Sequence, residues 1–128
     1  MKYISLSLIA VLGALASCSS EPAPTAVTPE SQAQVVRGAI LFKENACYTC
    51  HGEKGRGDGI LSKTLNPPPR NYSDKAWQAS VTDEHIKNVI KKGGEANGLS
   101  SVMAPYEKQI TDEADYDALV AFIRSCAN

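Results

Sequence analysis

Five consecutive residues, Cys47-Tyr48-Thr49-Cys50-His51, constrain this chain more than any other feature of its sequence. Cys-x-x-Cys-His is the pattern at which a c-type haem is attached to a polypeptide. Two thiols at this spacing can add to the two vinyl groups of one haem, and the adjacent imidazole can then bind the iron. We therefore predict one covalent haem c on Cys47 and Cys50, with His51 as an axial ligand.

The same cysteines have two other chemical interpretations. A structural zinc site needs four ligands, usually from two such pairs, but Cys18, Cys126 and His85 are scattered along the sequence. A thioredoxin-like dithiol centre is expected within a strand–helix–strand unit, and no alternating strand pattern flanks Cys47. Both interpretations are therefore disfavoured relative to haem attachment.

The N-terminal residues predict export and a lipid anchor. Lys2 precedes a mostly apolar stretch, residues 4–15, which is typical of a signal peptide and too short for a membrane span. Leu15-Ala16-Ser17-Cys18 resembles a bacterial lipobox, in which the cysteine is lipidated and becomes the new N-terminus. The alternative is an ordinary cleavable signal with an incidental cysteine. We predict that residues 1–17 are a lipoprotein signal peptide and that Cys18 is lipidated.

Residues 18–30 contain three prolines and few side chains that a core would bury, so we predict a flexible, solvated tether there. Residues 31–128 would then form a single domain at the periplasmic face of a bacterial membrane. Ser19, which follows the lipidated cysteine, resembles a signal for outer-membrane sorting in a cell with two membranes. The net charge is −1, with no basic stripe, which argues against a nucleic-acid partner.

Three segments have helical periodicity, and no strand pattern of similar length competes, so the sequence predicts an all-α fold with long loops. The first helix begins at Ser31, with Gln34 completing a capping box, and leads into the haem motif. The second has Thr82 as its N-cap and ends at Gly93 after two lysines. The third follows Thr111 and begins with acidic residues.

Two loops are expected to enclose the haem. The segment 52–59 has four glycines, but its spacing fits no phosphate-binding pattern, and we predict a tight wrap around the cofactor. Pro67, Pro68 and Pro69 remove three backbone donors and predict a stiff, extended segment. A carbonyl of this segment would accept a hydrogen bond from His51, fixing its tautomer and raising its basicity as a ligand.

The second axial ligand has two candidates. Met103 is the single methionine outside the predicted signal peptide, and flanking glycines and a proline place it on a loop. His85 is the competitor, at the third position of the second helix. A thioether ligand raises the reduction potential relative to a second histidine. We predict a high-potential haem with His51 and Met103 as axial ligands.

From Gly38 to Cys126 the chain resembles a class I (monohaem) cytochrome c, in its bacterial lipoprotein form. The matching features are Gly38 and Phe42 in the first helix, the haem motif with Gly52, the proline segment, Met103-Ala104-Pro105-Tyr106, and Phe122 in the last helix. The resemblance implies three main helices whose long loops wrap one covalent haem.

The resemblance also assigns roles to individual residues. The first and last helices would cross closely at Gly38, and one carbonyl of Pro67, Pro68 or Pro69 would contact the proximal histidine. Arg70 and Trp77 resemble groups near haem propionates, with a solvated arginine and a packed indole as the alternatives. Tyr72 and Tyr106 resemble packing residues of the haem crevice.

The function implied is electron transfer, with iron cycling between Fe(III) and Fe(II), and not enzyme catalysis. Partners would be redox proteins such as a terminal oxidase, a reductase or another cytochrome. The alternatives are a haem enzyme subunit and a gas or redox sensor in which Met103 is displaced from the iron. Cys126 has no evident partner, and either an intermolecular disulfide or burial at a helix end would account for it.

Overall fold

The computed structural model describes residues 28–127, so the predicted signal peptide, Cys18 and most of the tether lie outside the described residues. Within residues 28–127 there are helices and no strands, which confirms the all-α prediction. Two 3₁₀ turns, Ser62–Thr64 and Glu95–Asn97, lie in the connecting loops. The α-helices of this region are α1 (Pro29–Glu44), α2 (Tyr48–His51), α3 (Lys75–Ser80), α4 (Asp83–Lys92) and α5 (Glu113–Ser125).

Helix α1 begins two residues earlier than the sequence predicted. Its N-cap is Thr28, whose hydroxyl accepts a hydrogen bond from the backbone N–H of Ser31 at 3.2 Å. The predicted capping box from Ser31 is therefore wrong, and Pro29 and Glu30 are helical and not part of a tether. Proline suits the first position of a helix because its fixed φ is helical and its missing N–H would be unpaired there.

The two later main helices lie close to where the sequence placed them. Thr82 caps α4 as predicted, accepting from the N–H of His85 at 3.1 Å, and the helix ends at Gly93. The N-cap of α5 is Asp112, one residue after the predicted Thr111. Helices α2 and α3 were not predicted, because four and six residues are too few to show a periodic apolar face.

Helices α1 and α5 cross at Gly38, as the resemblance implied. A Cβ at this position would lie 2.0 Å from the carbonyl oxygen of Ala118, so only glycine permits the approach. The rings of Phe42 and Phe122 pack beside the crossing with centroids 4.9 Å apart. The buried apolar residues of the core are Leu41, Phe42, Tyr72, Ile86, Ile90, Ile110, Tyr116, Ala118, Leu119, Val120 and Ile123.

Helix α4 packs against α5 and forms one wall of the interior. Ion pairs join the two helices at their surface, Lys87 with Asp117 and Lys91 with Glu113. The apolar face of α4, with Ile86 and Ile90 buried, points inward. None of the helices in residues 28–127 combines the length and apolar composition that crossing a bilayer would need.

Candidate haem site

A cavity of about 620 Å³ lies between α2, the proline segment, α4 and the loop that carries Met103. Its volume is within the range of about 300–1,000 Å³ usual for sites that bind small molecules and cofactors. Cys47, Cys50, His51 and Met103 all line it, so the fold brings together residues that are distant in sequence. The inward face of α4 supplies much of the apolar wall.

Helix α2 presents the haem motif to this cavity. A sharp turn separates it from α1, with Ala46 at a φ of 53° and the N–H of Cys47 bonded to the carbonyl of Phe42 at 3.0 Å. The N–H of His51 in turn bonds to the carbonyl of Cys47 at 3.0 Å. One helical turn therefore places both thiols and the imidazole on the same cavity wall. Burial raises the pKa of the Cys47 thiol to about 11.

His51 is buried, and its tautomer is set by one contact. Its Nδ1 lies 3.1 Å from the carbonyl oxygen of Arg70. A carbonyl can only accept, so Nδ1 donates its proton there and Nε2 keeps the lone pair that metal binding requires. Burial lowers the pKa of His51, while the bond to the Arg70 carbonyl acts in the opposite direction. The imidazole is therefore suited to act as a neutral ligand.

The contact to His51 corrects one prediction. The sequence assigned it to a carbonyl of Pro67, Pro68 or Pro69, and the structure assigns it to Arg70, the next residue. The three prolines line the cavity and deliver the chain to this point. Spacing alone could not identify the residue, because every residue of the segment carries the same backbone carbonyl.

Tyr72 packs on the face of the same imidazole. The two rings are nearly parallel, at 16°, with centroids 4.7 Å apart, and Tyr72 is buried. Trp77 stacks on Tyr72 in turn, with centroids 5.7 Å apart. The sequence predicted Tyr72 as a crevice residue, and it gave no signal for this stack on the histidine.

The Met103 loop is fastened to the end of α4 by backbone hydrogen bonds. The N–H of Gly94 donates to the carbonyl of Met103 at 2.8 Å, and the N–H of Tyr106 donates to that of Ile90 at 3.0 Å. A Cβ on Gly94 would lie 2.1 Å from the carbonyl oxygen of Ser100, so glycine allows the loop to pass this closely. The Met103 side chain is half-buried at the cavity wall.

Other predicted residues also reach the cavity. Arg70 and Trp77 line it together, with the guanidinium carbon 5.7 Å from the centre of the indole ring. Tyr106 lines it as well, and its hydroxyl donates to the carbonyl of Asn45 at 3.4 Å. His85 lines the cavity too, with an exposed side chain, so both candidates for the second axial position lie around one cavity.

Comparison with known proteins identifies the family of the chain. A family model described as Cytochrome c matches residues 35–127. The chain belongs to the cytochrome c family. This cytochrome c is also similar to cytochrome c-555 of Methylococcus capsulatus (strain ATCC 33009 / NCIMB 11132 / Bath), with 28% identity over 114 residues. The alignment covers 89% of this chain and 74% of the relative.

The residues of this cytochrome c fit the family's covalent haem c. The paired cysteines, a histidine with a free Nε2 and an apolar cavity of suitable volume meet at one place. Within residues 28–127, no three His, Cys, Asp or Glu side chains are grouped as a metal cluster. The class I monohaem assignment and the expected haem cofactor are thus confirmed, and the family's activity is haem-based electron transfer.

Proposed function

We propose that this cytochrome c is a monohaem electron carrier whose iron is bound by His51 and Met103. The observation that carries the proposal is the cavity that both residues line together with Cys47 and Cys50. When bound, the haem supplies an iron that cycles between Fe(III) and Fe(II). With His51 and Met103 both bound, the iron would have no position left for a substrate, which favours an electron carrier over an enzyme.

The chain's own residues have distinct roles in this proposal. Cys47 and Cys50 form the thioether links, and the carbonyl of Arg70 orients His51. Pro67, Pro68 and Pro69 stiffen the segment that presents this carbonyl. The Arg70 guanidinium and Trp77 lie side by side at the cavity and would hold the haem propionates there.

The axial ligand is tested by substitution. In oxidised protein an Fe(III)–thioether bond gives a weak absorption band at the red end of the visible spectrum. We expect Met103→Ala to abolish the band and lower the reduction potential, because a thioether stabilises Fe(II). His85→Ala is the matched control and should keep both properties. Loss of the band in His85→Ala alone would contradict the assignment.

The same substitutions separate a carrier from a haem enzyme or a gas sensor. If the Met103 thioether occupies the second axial position of the iron, reduced native protein should bind carbon monoxide slowly. Reduced Met103→Ala should bind it rapidly, because that position is then open. Rapid binding by the native protein would favour an enzyme subunit or a sensor in which Met103 is displaced.

We propose that electrons leave through the haem edge beside Cys47 and Cys50 to a redox partner protein, such as a terminal oxidase, a reductase or another cytochrome. Exposed apolar side chains adjoin this edge: Ile60 is 82% exposed and Leu61 50%, and the Leu61 N–H bonds to the carbonyl of Thr49 in α2 at 3.0 Å. Such redox contacts are small, about 1,200 Å² or less, which permits fast release.

We propose that the carrier is tethered to the periplasmic face of a bacterial membrane through a lipid on Cys18, with the outer membrane favoured by Ser19. Family members are typically exported, and the lipobox and signal-like residues 1–17 support the anchor. Cys18→Ser should move the haem protein from the membrane fraction to the soluble periplasmic fraction with an unchanged spectrum. A Cys18→Ser protein that stays in the membrane fraction would refute the anchor.

A further inference from the structure

One short segment fixes the proximal histidine in two ways. The carbonyl of Arg70 accepts from His51 Nδ1, and the ring of Tyr72, two residues later, covers the face of the imidazole. The N–H of Tyr72 bonds to the carbonyl of Gly55 at 2.7 Å, which secures one side of its backbone. The carbonyl of Tyr72 is held by hydrogen bonding to residues outside the cavity.

Gln78 secures the Tyr72 carbonyl. Its Nε2 donates two hydrogen bonds of 2.8 Å, one to the carbonyl of Tyr72 and one to the carbonyl of Ile123 in α5. Its Oε1 accepts from Arg124 Nη1 at 2.8 Å. A guanidinium has donors and no acceptor, so Arg124 forces the amide oxygen toward itself and the amide nitrogen toward Tyr72.

Arg124 is fixed by further acceptors around the junction of α3 and α4. Nη1 also donates to the Gln78 carbonyl at 2.6 Å, and Nη2 donates to the carbonyl of Val81 at 2.7 Å. Its Nε donates to Asp83 Oδ1 at 2.8 Å. The planar guanidinium of arginine is a fork of several N–H donors in fixed positions, so it can reach these acceptors at the same time. The single ammonium of lysine cannot.

We propose that Gln78 and Arg124 are positioning residues that set the orientation of the proximal imidazole through Tyr72. Neither lines the cavity, so their effect on the iron ligand passes through the Tyr72 backbone and ring. The proposal rests on His51 being the proximal ligand. The rotation of an axial imidazole about its iron bond determines how the unpaired spin of Fe(III) spreads over the haem methyl groups.

The haem methyl resonances in the proton NMR spectrum of the oxidised holoprotein test this inference. Gln78→Glu keeps the shape of the side chain but replaces the amide donors, so both bonds to the carbonyls of Tyr72 and Ile123 are lost. Arg124→Lys keeps the charge beside Asp83 but loses the fork. We expect each variant to change the spread of the methyl shifts and the reduction potential. The double variant should add little to either single change, because both act through Tyr72.

The control is Arg37→Lys. Arg37 in α1 donates two hydrogen bonds to the Asp115 carboxylate in α5, at 2.9 and 3.0 Å, and lysine cannot make both. This variant should leave the methyl pattern unchanged. Tyr72→Leu removes the stack directly and should reproduce the pattern of Gln78→Glu, which keeps the test decisive if Arg124→Lys folds poorly.

Two results would overturn the inference. One is an unaltered methyl pattern in folded Gln78→Glu, and the other is an equal change in Arg37→Lys, which would indicate general loosening. A wild-type spectrum without low-spin Fe(III) signals is a different failure. It would refute the proposed pair of His51 and Met103 as ligands, whereas this inference needs only His51 on the iron and would still be decided by comparing the variants.

Discussion

At the scale of single residues, the Cys126 thiol illustrates how packing decides chemistry. It is half-buried at the end of α5, and its Sγ lies 3.4 Å from the carbonyl oxygen of Phe122. Burial raises the pKa of this thiol above its ordinary value. Thiolate is the reactive form of cysteine, so less of it is present at a given pH than for a free cysteine.

We therefore expect Cys126 to stay reduced and react slowly. In Cys18→Ser holoprotein, where Cys126 is the single thiol outside the haem motif, an aromatic disulfide reagent at pH 8 should react much more slowly than with the denatured protein. An exposed thiol introduced by Ala33→Cys in a Cys126→Ser background is the control and should react rapidly. A dimer on a non-reducing gel that disappears in Cys126→Ser would contradict this expectation.

Single residues of the site also differ in how far the sequence alone could predict them. Cys47, Cys50 and His51 adjoin in sequence, and Met103 was proposed because few thioethers exist in the chain; the fold places all four around one cavity. The carbonyl of Arg70 was missed by one position, since backbone groups leave no signature in the side-chain sequence. The bond between Arg124 and Gln78 joins residues 46 positions apart, a relation that appears only after folding.

At the scale of elements, the crossing of α1 and α5 depends on one missing side chain. Helix propensity alone favours alanine over glycine by about 1 kcal/mol. At Gly38 the added Cβ would meet the Ala118 carbonyl oxygen at 2.0 Å and Phe122 Cβ at 2.8 Å, and the clash outweighs that gain. We expect Gly38→Leu to lower the free energy of unfolding of the holoprotein by about 1–3 kcal/mol.

Denaturant unfolding followed by circular dichroism measures this change. Ala33→Leu makes a larger apolar side chain at an exposed position of the same helix, and its midpoint should barely move. Equal midpoints for Gly38→Leu and wild type would mean that the helices do not approach this closely in solution.

Elements differed in how well the sequence predicted them. Helix α4 has a threonine cap, acidic residues first, lysines last and a glycine stop, so local signals agree, and its bounds were predicted. Helix α3 has a side-chain cap from Asp74, which accepts from two backbone N–H groups, but six residues cannot sustain a helix alone. Its formation relies on contacts with α5, such as those of Gln78, and these are not visible in the local sequence.

At the scale of the whole molecule, the haem is part of the core. The cavity of about 620 Å³ is lined by apolar and aromatic residues such as Ile86, Ile90 and Tyr72, which face water in a chain that carries no haem. A domain of this size has a stability of about 5–15 kcal/mol, and burial of one large apolar side chain contributes about 1.5–3 kcal/mol. We therefore expect a chain without haem to be much less stable than the holoprotein.

Protein with Cys47→Ala and Cys50→Ala, produced without haem, should lose most of its helical circular dichroism and its cooperative thermal transition. The control is Cys126→Ala with its haem attached, which should retain both. A haem-free chain with native helicity and a sharp transition would contradict the view that the cofactor completes the core.

The junction of α1 and α5 also bears on how the protein is made. Arg37 and Asp115, which pair across it, are 78 positions apart, whereas the attachment motif occupies five adjacent residues. In the folded domain the Cys47 thiol is half-buried, and burial raises its pKa to about 11, so little reactive thiolate is present. We therefore expect the cofactor to be joined while the chain is still open, before α5 docks on α1. The attachment motif is complete in an unfolded chain, whereas the junction of α1 and α5 exists only after folding, so attachment can precede every native contact of that junction.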